Sequence, residues 1–232
     1  MNGRALLVAA LLAGCAARPD APHRLPADRS EPVVYVALGD STVQGVGASS
    51  PERNYVSRLY ERLRAVYPLA RVANLGVSGA TSADVVAAQL QRAVEVRPHL
   101  VTLSVGPNDI TRGVPVRQYE RNIDAILAAL TRETRAVVVV NLLPDLAVTR
   151  RFRGSPQEGA VGRLTVQFND ALRSRARQHG VEPVDLYSAS HEEVPRRPEL
   201  LATDGYHPSD AGYARWAELM WRGIEKRIAH GG

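Results

Sequence analysis

Five short apolar segments alternate with longer amphipathic segments between residue 32 and the end of the chain. Several of the short segments are rich in valine and apolar at consecutive positions, as strands are when both faces of a sheet are covered. They predict strands at residues 33–38, 71–75, 100–105, 136–143 and 184–187.

The segments between and after these strands carry apolar residues at intervals of three or four, the spacing of one helix face. The alternation predicts one α/β domain with a parallel sheet and right-handed crossovers. The apolar positions of the five predicted helices are Tyr55, Leu59, Leu63 and Val66; Val86, Leu90 and Val94; Tyr119, Ile123, Ile126 and Leu130; Val161, Leu164, Phe168 and Leu172; and Tyr213, Ala217, Met220, Ile224 and Ile228.

Polar and glycine-rich motifs follow the first three predicted strands, and a further one precedes the last helix. In open α/β sheets, ligands bind at the carboxyl ends of the strands, so we expect these motifs to meet at one edge. They are Gly39-Asp40-Ser41-Thr42, Asn74-Leu75-Gly76-Val77-Ser78-Gly79, Gly106-Pro107-Asn108-Asp109 and Asp204-Gly205-Tyr206-His207-Pro208.

These motifs contain the residue types of a serine nucleophile system. Ser41 supplies a hydroxyl at a strand-to-helix turn, His207 can accept its proton, and Asp204 can orient the imidazole. Taken singly, Ser41 could cap a helix, and Asp204 with His207 could form a loop ion pair or part of a metal site. No HExxH motif or cysteine cluster accompanies them, so we expect no metal and no cofactor.

An oxyanion formed by attack on a carbonyl needs N–H donors aimed at one point. The candidates are the backbone N–H groups of Ser41 and Gly76 and the side-chain amide of Asn108. Glycine at position 76 would keep a side chain out of that space. Asp109 is interpreted as a structural residue that orients the loop carrying Asn108.

The four motifs, in this order, resemble those of the SGNH/GDSL hydrolase family, and the resemblance covers about residues 33–228. It implies a flavodoxin-like three-layer α/β/α sandwich with a mostly parallel five-stranded sheet. It also implies a catalytic triad of Ser41, Asp204 and His207 and an oxyanion hole of Ser41, Gly76 and Asn108. Thr42 and Pro107 depart from the residues that are usual in the family, and Pro107 fixes the local backbone beside Asn108.

The activity implied by the resemblance is that of a serine ester hydrolase, an esterase or lipase. It would cleave small acyl esters, lipid esters or thioesters through an acyl-Ser41 intermediate. Two alternatives stay open. One is an acyl or acetyl transferase that uses the same triad on envelope polysaccharide, and the other is a non-catalytic envelope lipoprotein on a hydrolase-like scaffold.

The start of the chain resembles an export signal, because a basic amino-terminal segment precedes an apolar run at residues 5–13 that is too short to span a bilayer. Leu12-Ala13-Gly14-Cys15 resembles the bacterial lipobox. It predicts a signal peptide at 1–14, a lipidated Cys15, a proline-rich tether at 15–31 and the hydrolase domain at 32–232. The predicted location is the cell envelope, as a membrane-anchored lipoprotein. An ordinary signal peptide of a secreted protein and a mis-assigned start are the alternatives.

Composition narrows the possible partners. The net charge is +5, the basic residues are scattered arginines apart from Lys226, and aromatic residues make up only 5% of the chain. A nucleic-acid partner is therefore not expected. Arg150, Arg151 and Arg153 follow the fourth strand, where they either attract anionic substrates or form a solvated loop. A single cysteine excludes an intramolecular disulfide.

Overall fold

Four parallel strands form the centre of the structure, which is a computed structural model and describes residues 23–228. Their spatial order is β2-β1-β3-β4, so the first strand lies inside the sheet and β2 at one edge. The strands are β1 (Val34–Gly39), β2 (Arg71–Asn74), β3 (Leu100–Ser104) and β4 (Val137–Val140).

Helices cover both faces of this sheet. Three short 3₁₀ turns (Pro51–Arg53, Leu146–Val148 and Pro198–Leu200) and one π turn (Val85–Gln89) interrupt or connect them. The α-helices of the described residues are α1 (Ser41–Gln44), α2 (Tyr55–Val66), α3 (Ser82–Asp84), α4 (Leu90–Glu95), α5 (Pro107–Thr111), α6 (Val116–Glu133), α7 (Glu158–Gln178), α8 (Leu186–Glu193) and α9 (Asp210–Glu225).

The sheet separates two apolar cores, because successive side chains of a strand point to opposite faces. On one face, Tyr35 and Ala37 of β1 belong to a buried cluster with residues of α2 and α9. On the other face, Val36 and Leu38 belong to a cluster with residues of α6 and α7. The predicted three-layer α/β/α sandwich with a parallel sheet is therefore confirmed.

The fifth predicted strand is wrong, since only Val184 pairs with the β4 edge. Its N–H donates to Val140 O at 2.8 Å, and Leu142 N–H donates to Val184 O at 2.9 Å. Asp185 then caps α8 and turns the chain into a helix. The sheet has four strands instead of five.

The second predicted helix turns a different face to the core. Val86, Leu90 and Val94, the predicted apolar face, are only partly buried. A π turn inserts one extra residue near the start of this helix and rotates the face that follows. The positions that are fully buried are Val85, Gln89 and Ala93.

The last part of the predicted tether contacts the domain. Leu25 is 1% exposed, and its N–H donates to Arg227 O at 2.9 Å. His23 Nδ1 lies 3.0 Å from Ala136 O, just before β4 begins. The chain therefore enters the domain at the edge of the sheet where the strands start.

The predicted signal peptide at 1–14, the predicted lipidation site Cys15 and the tether residues before His23 lie outside the described residues. Between residues 23 and 228, the helices are too short or too polar to cross a bilayer.

Leu25→Ala is expected to lower the free energy of unfolding by about 2–4 kcal/mol, because it empties a fully buried leucine site. Arg24→Ala, one residue away and exposed, is the control and is expected to stay within about 0.5 kcal/mol of wild type. Urea unfolding of the two variants tests this. Equal stabilities would mean that residues 23–31 are not part of the folded unit.

Candidate active site

Ser41 is positioned by the tight end of β1. Gly39 has a φ of +142°, and a Cβ placed there would lie 1.9 Å from Ser104 O of β3. Asp40 then caps α1, with both the N–H and the hydroxyl of Thr42 donating to Asp40 Oδ1 at 2.9 and 2.8 Å. Ser41 is thus the first residue of a short helix at the carboxyl edge of the sheet.

His207 and Asp204 lie on the loop that precedes α9. Asp204 Oδ1 accepts the N–H groups of Tyr206 and His207 at 2.9 and 3.0 Å, which closes the turn. Asp204 Oδ2 lies 2.5 Å from His207 Nδ1. His207 Nε2 lies 2.9 Å from Ser41 Oγ. The structure therefore brings the three predicted residues into one hydrogen-bonded line across 166 residues of sequence.

Asp204 is kept ionised by these contacts. Partial burial acts to raise the pKa of Asp204. The hydrogen bonds from the His207 side chain and from the Tyr206 and His207 backbone outweigh it and hold that pKa below its usual value. A carboxylate at this position favours a proton on His207 Nδ1, which leaves Nε2 as an acceptor for the Ser41 proton.

Two of the predicted oxyanion donors have an N–H available. The Ser41 N–H stands at the first position of α1, where no intrahelical partner exists, and no hydrogen bond of the described residues uses it. Asn108 Nδ2 donates one hydrogen to Ala80 O at 2.9 Å and has a second one left. Both residues line the same cavity as His207.

Gly76, the third predicted donor, has its N–H engaged. It donates to Asn74 Oδ1 at 3.0 Å. A Cβ at Gly76 would lie 2.6 Å from Val43 Cβ and 2.7 Å from Gln44 N, so the glycine allows this loop to pack on α1.

Gly79, three residues later, is a candidate donor that the sequence reasoning missed. It has a φ of +81° within a turn closed by Ala80 N–H donating to Val77 O at 3.0 Å. The Asn108 side chain binds the next residue, Ala80. In the part of the chain that the structure describes, no hydrogen bond uses the Gly79 N–H. The sequence does contain a second glycine in the same motif. Gly79 lies in the turn, whereas Gly76 lies where the loop packs on α1.

Residues 37–215 match the model of the GDSL-like Lipase/Acylhydrolase family. The chain belongs to the GDSL-like lipase/acylhydrolase family. The resemblance seen in the four motifs is thereby confirmed, and as a member of this family the protein is a carboxylic ester hydrolase.

Named relatives and solved structures agree with this assignment. An acetylxylan esterase of Geobacillus stearothermophilus is 28% identical over 81% of this chain and 91% of its own length. The esterase TesA of Pseudomonas aeruginosa is 27% identical over 92% and 96%. The crystal structure of LAE5, an α/β hydrolase from the metagenome of Lake Arreo, has a TM-score of 0.70 at 22% identity and covers 87% of this chain and 100% of that one.

Asp109 and Pro107 support the loop of this GDSL-like hydrolase that carries Asn108. Asp109 is buried and accepts the N–H and the hydroxyl of Ser82 at 2.9 and 2.6 Å, which ties the loop to the start of α3. Burial raises the pKa of the Asp109 carboxyl, against the lowering effect of these bonds. Pro107 occupies the first turn of α5, where a missing N–H costs no hydrogen bond.

Arg150 and Arg151 hold the loop that carries His207. Arg150 packs over Gly205, where a Cβ would lie 2.8 Å from Arg150 Cβ. Arg151 N–H donates to Gly205 O at 3.2 Å, and its guanidinium lies 4.9 Å from the Tyr206 ring centre. The Tyr206 ring meets the His207 ring edge to face at 5.1 Å. Two of the three clustered arginines therefore have a structural contact with the loop that carries His207.

A cavity of about 100 Å³ adjoins Ser41 and His207. Its walls come from the loop after β4, from α8 and from α9, and they include Pro144, Leu146, Val194, Leu200, Trp216 and Leu219. Between residues 23 and 228, no three His, Cys, Asp or Glu side chains come close enough together to bind a metal ion.

Asp40 is a buried carboxyl directly before the nucleophile. Burial raises the pKa of Asp40 to about 6, although the Thr42 backbone and hydroxyl bonds and the nearby His207 act to lower it. Its Oδ2 has no hydrogen-bond partner among the described residues. Because the folded pKa exceeds the unfolded one, the folded state binds more protons between about pH 4 and pH 6, and stability falls as the pH rises through that window.

Asp40→Asn is expected to remove this loss while keeping the cap acceptor. Between pH 4 and pH 7, the free energy of unfolding of wild type should fall by up to about 3 kcal/mol more than that of the variant. Urea unfolding at both pH values measures the difference. Asp28→Asn, on an exposed carboxyl far from the site, is the control. Parallel pH profiles for wild type and Asp40→Asn would contradict the raised pKa.

Proposed function

We propose that the protein hydrolyses carboxylic esters through an acyl-Ser41 intermediate. The observation that carries the proposal is the continuous line from Asp204 through His207 to Ser41, with contacts of 2.5 and 2.9 Å. A nucleophile, a base and a group that orients the base are then all in place without a further conformational change.

The proposed reaction has two halves. In the first, Ser41 Oγ attacks the carbonyl carbon while His207 Nε2 takes the hydroxyl proton. The tetrahedral intermediate collapses when His207 returns that proton to the leaving alkoxide, which departs as the alcohol. In the second half, His207 accepts a proton from water while the water oxygen attacks the acyl carbon. The bond from the acyl carbon to Ser41 Oγ then breaks, His207 returns the proton to Oγ, and the carboxylic acid and free Ser41 are released.

We propose that Ser41 N–H, Asn108 Nδ2 and Gly79 N–H stabilise the negative oxygen of both intermediates. Each has an N–H that the described residues leave unused. Each such donor is worth about 10²–10³-fold in turnover in comparable sites. Gly76 would contribute only if its bond to Asn74 Oδ1 opened.

We propose that the acyl part of the substrate is small and binds in the cavity beside Ser41. A cavity of about 150 Å³ holds a benzene molecule, so the cavity of about 100 Å³ next to Ser41 fits an acyl chain of about four carbons or fewer. The apolar walls suit the alkyl part of such a group. The acetylxylan esterase relative, by its name, also acts on a short acyl ester.

Hydrolysis is favoured over acyl transfer by the openness of the site. Asp204 has 44% of its side chain exposed, so water reaches the catalytic dyad from outside. A transferase must keep water away from its acyl-enzyme, whereas the described residues leave nearly half of the Asp204 side chain in contact with solvent.

We also propose that Cys15 carries a lipid anchor in the cell envelope. Seven residues lie between Cys15 and His23, so the two Cα atoms are eight residue steps apart and can be separated by at most about 29 Å. A folded domain of about 200 residues has a radius of gyration of about 16 Å and hence a diameter of about 40 Å. Because the chain enters at the edge opposite the active site, the anchor would point Ser41 away from its own membrane. Esters in the surrounding envelope space would then be the accessible substrates.

Ser41→Ala is expected to lower the turnover of p-nitrophenyl acetate by about 10⁶-fold or to below detection, since the nucleophile is lost. Wild type should prefer acetate and butyrate esters to the decanoate ester. Ser174→Ala, in the distant part of α7, is the matched control and should retain full activity. Full activity of Ser41→Ala would eliminate the proposed mechanism, and a preference for decanoate would eliminate the proposed small acyl group.

Cys15→Ser is expected to move the full-length protein from the membrane fraction to the soluble envelope fraction when it is expressed with its own amino terminus. The measurement is fractionation with detergent-phase partitioning, with esterase activity as the marker. Wild type found wholly in the soluble fraction would refute the anchor and support the secreted form.

A further inference from the structure

Gln89 is a buried polar side chain that the reaction described above does not use. It is 2% exposed. The Gly39 N–H donates to Gln89 Oε1, and Gln89 Nε2 donates to Gly39 O, each at 2.8 Å. One side-chain amide therefore satisfies both backbone groups of one residue, and that residue precedes Ser41 by two positions.

The Gln89 amide supplies an acceptor that the strand ladder lacks. Along β1 and β2 the parallel ladder continues beyond Asn74, with Leu75 N–H donating to Ala37 O at 2.9 Å and Val77 N–H donating to Gly39 O at 3.1 Å. Its regular continuation would pair the Gly39 N–H with the Leu75 carbonyl. The chain after β2 instead turns towards Gly79, and Gln89 completes the ladder at Gly39. Without it, the Gly39 N–H would be a buried donor with no acceptor.

The π turn explains how a glutamine from the helix reaches this point. It covers Val85–Gln89, and Leu90 N–H closes it on Val85 O. Val85 and Gln89 lie on the same side of the helix and are buried, and neither belongs to the predicted apolar face of Val86, Leu90 and Val94. Such π turns occur frequently at functional sites.

We infer that Gln89 is a positioning residue for the nucleophile. It fixes the backbone at Gly39. The positions of the Asp40 cap and of Ser41 relative to His207 follow from that backbone. Gly39 O also accepts Val77 N–H at 3.1 Å, so the same peptide fixes the loop that carries Gly79. Gln89 thus connects the segment that carries Ser41 to the loop that carries Gly79, one of the proposed oxyanion donors. This inference rests on the proposed role of Ser41.

The same arrangement recurs at the other end of the sheet. Leu143 N–H donates to Asn169 Oδ1 at 2.7 Å, and Asn169 Nδ2 donates to Leu143 O at 3.0 Å. There the clamped peptide follows β4 and precedes the cavity wall at Pro144. The fold therefore uses buried amides to hold chain segments where the strand ladders have ended.

The test compares wild type, Gln89→Met, Gln89→Glu, Leu130→Ala and Ser41→Ala with p-nitrophenyl acetate. Gln89→Met keeps the volume and removes both hydrogen bonds, so kcat is expected to fall about 100-fold with KM within about threefold of wild type. Leu130→Ala, in the core at the far end of α6, is the control for lost stability and should keep its kcat. All assays are run at least 10 °C below each variant's Tm.

Gln89→Glu tests the positioning role through the pH dependence of kcat, which a loss of stability alone would not change. Its carboxyl can accept the Gly39 N–H at any pH, but it can donate to Gly39 O only when protonated, and burial favours the protonated form. The ratio of its kcat to that of wild type is therefore expected to rise as the pH falls from about 8.5 to about 6.

The outcomes separate the two hypotheses. If Ser41→Ala keeps wild-type activity, the proposed nucleophile is wrong and this inference falls with it. If Ser41→Ala is inactive while folded Gln89→Met keeps its kcat, the inference about Gln89 alone is wrong. A loss of kcat in Leu130→Ala equal to that in Gln89→Met, or a Gln89→Glu ratio that does not change with pH, would also overturn it.

Discussion

Position 39 has no space for a side chain, and the geometry of the rest of the site depends on this constraint. The backbone of β1 passes so close to β3 that an added Cβ would overlap Ser104 O. Only glycine adopts the required φ and leaves the space empty. The strand can therefore end abruptly, Asp40 can turn inward as a cap, and Ser41 can open α1 at the edge of the sheet instead of continuing into it.

Several buried polar contacts stabilise this abrupt end. Gln89 accepts a hydrogen bond from the Gly39 N–H, and Asp40 accepts one from the Thr42 N–H. Asp109 accepts one from the Ser82 N–H and so connects the Asn108 loop to α3. Buried polar groups are costly unless they are satisfied, so such contacts make the geometry around Ser41 stiff. A stiff site would keep the proposed nucleophile, base and oxyanion donors in position before the substrate binds, and such preorganisation is the main source of electrostatic stabilisation in catalysis.

Much of this was readable from the sequence, because the signals were local. The short apolar segments predict four of the strands. The motifs that follow the strands predict which residues meet at the carboxyl edge of the sheet. Ser41, Asp204 and His207 lie together as expected, since topology alone brings strand ends to one side. Their catalytic roles stay predictions until the variants are measured.

The features that sequence reasoning missed arise from tertiary contacts. Gln89 is polar, and nothing local in the sequence signals that its side-chain amide is buried against the backbone of Gly39. Gly76 and Gly79 are equivalent in the motif, and only the packing on Val43 and the turn at Ala80 distinguish them. The short apolar run at Val184 has the composition of a strand, but Asp185 caps α8 directly after it, and one bridge remains. The errors at Gln89 and at Gly76 lie where a neighbour in space overrides the local pattern.

The bridge between Leu25 and Ile228 has a consequence for the connectivity of the fold. It places the first and last parts of the described chain side by side, at the edge away from Ser41. The described part of the chain is therefore nearly a closed loop, and its two ends meet away from Ser41, Asp204 and His207. A short peptide joining those ends would permit a new break in an exposed turn, and the order of Ser41, Asp204 and His207 along the chain could change while their arrangement in space stayed the same.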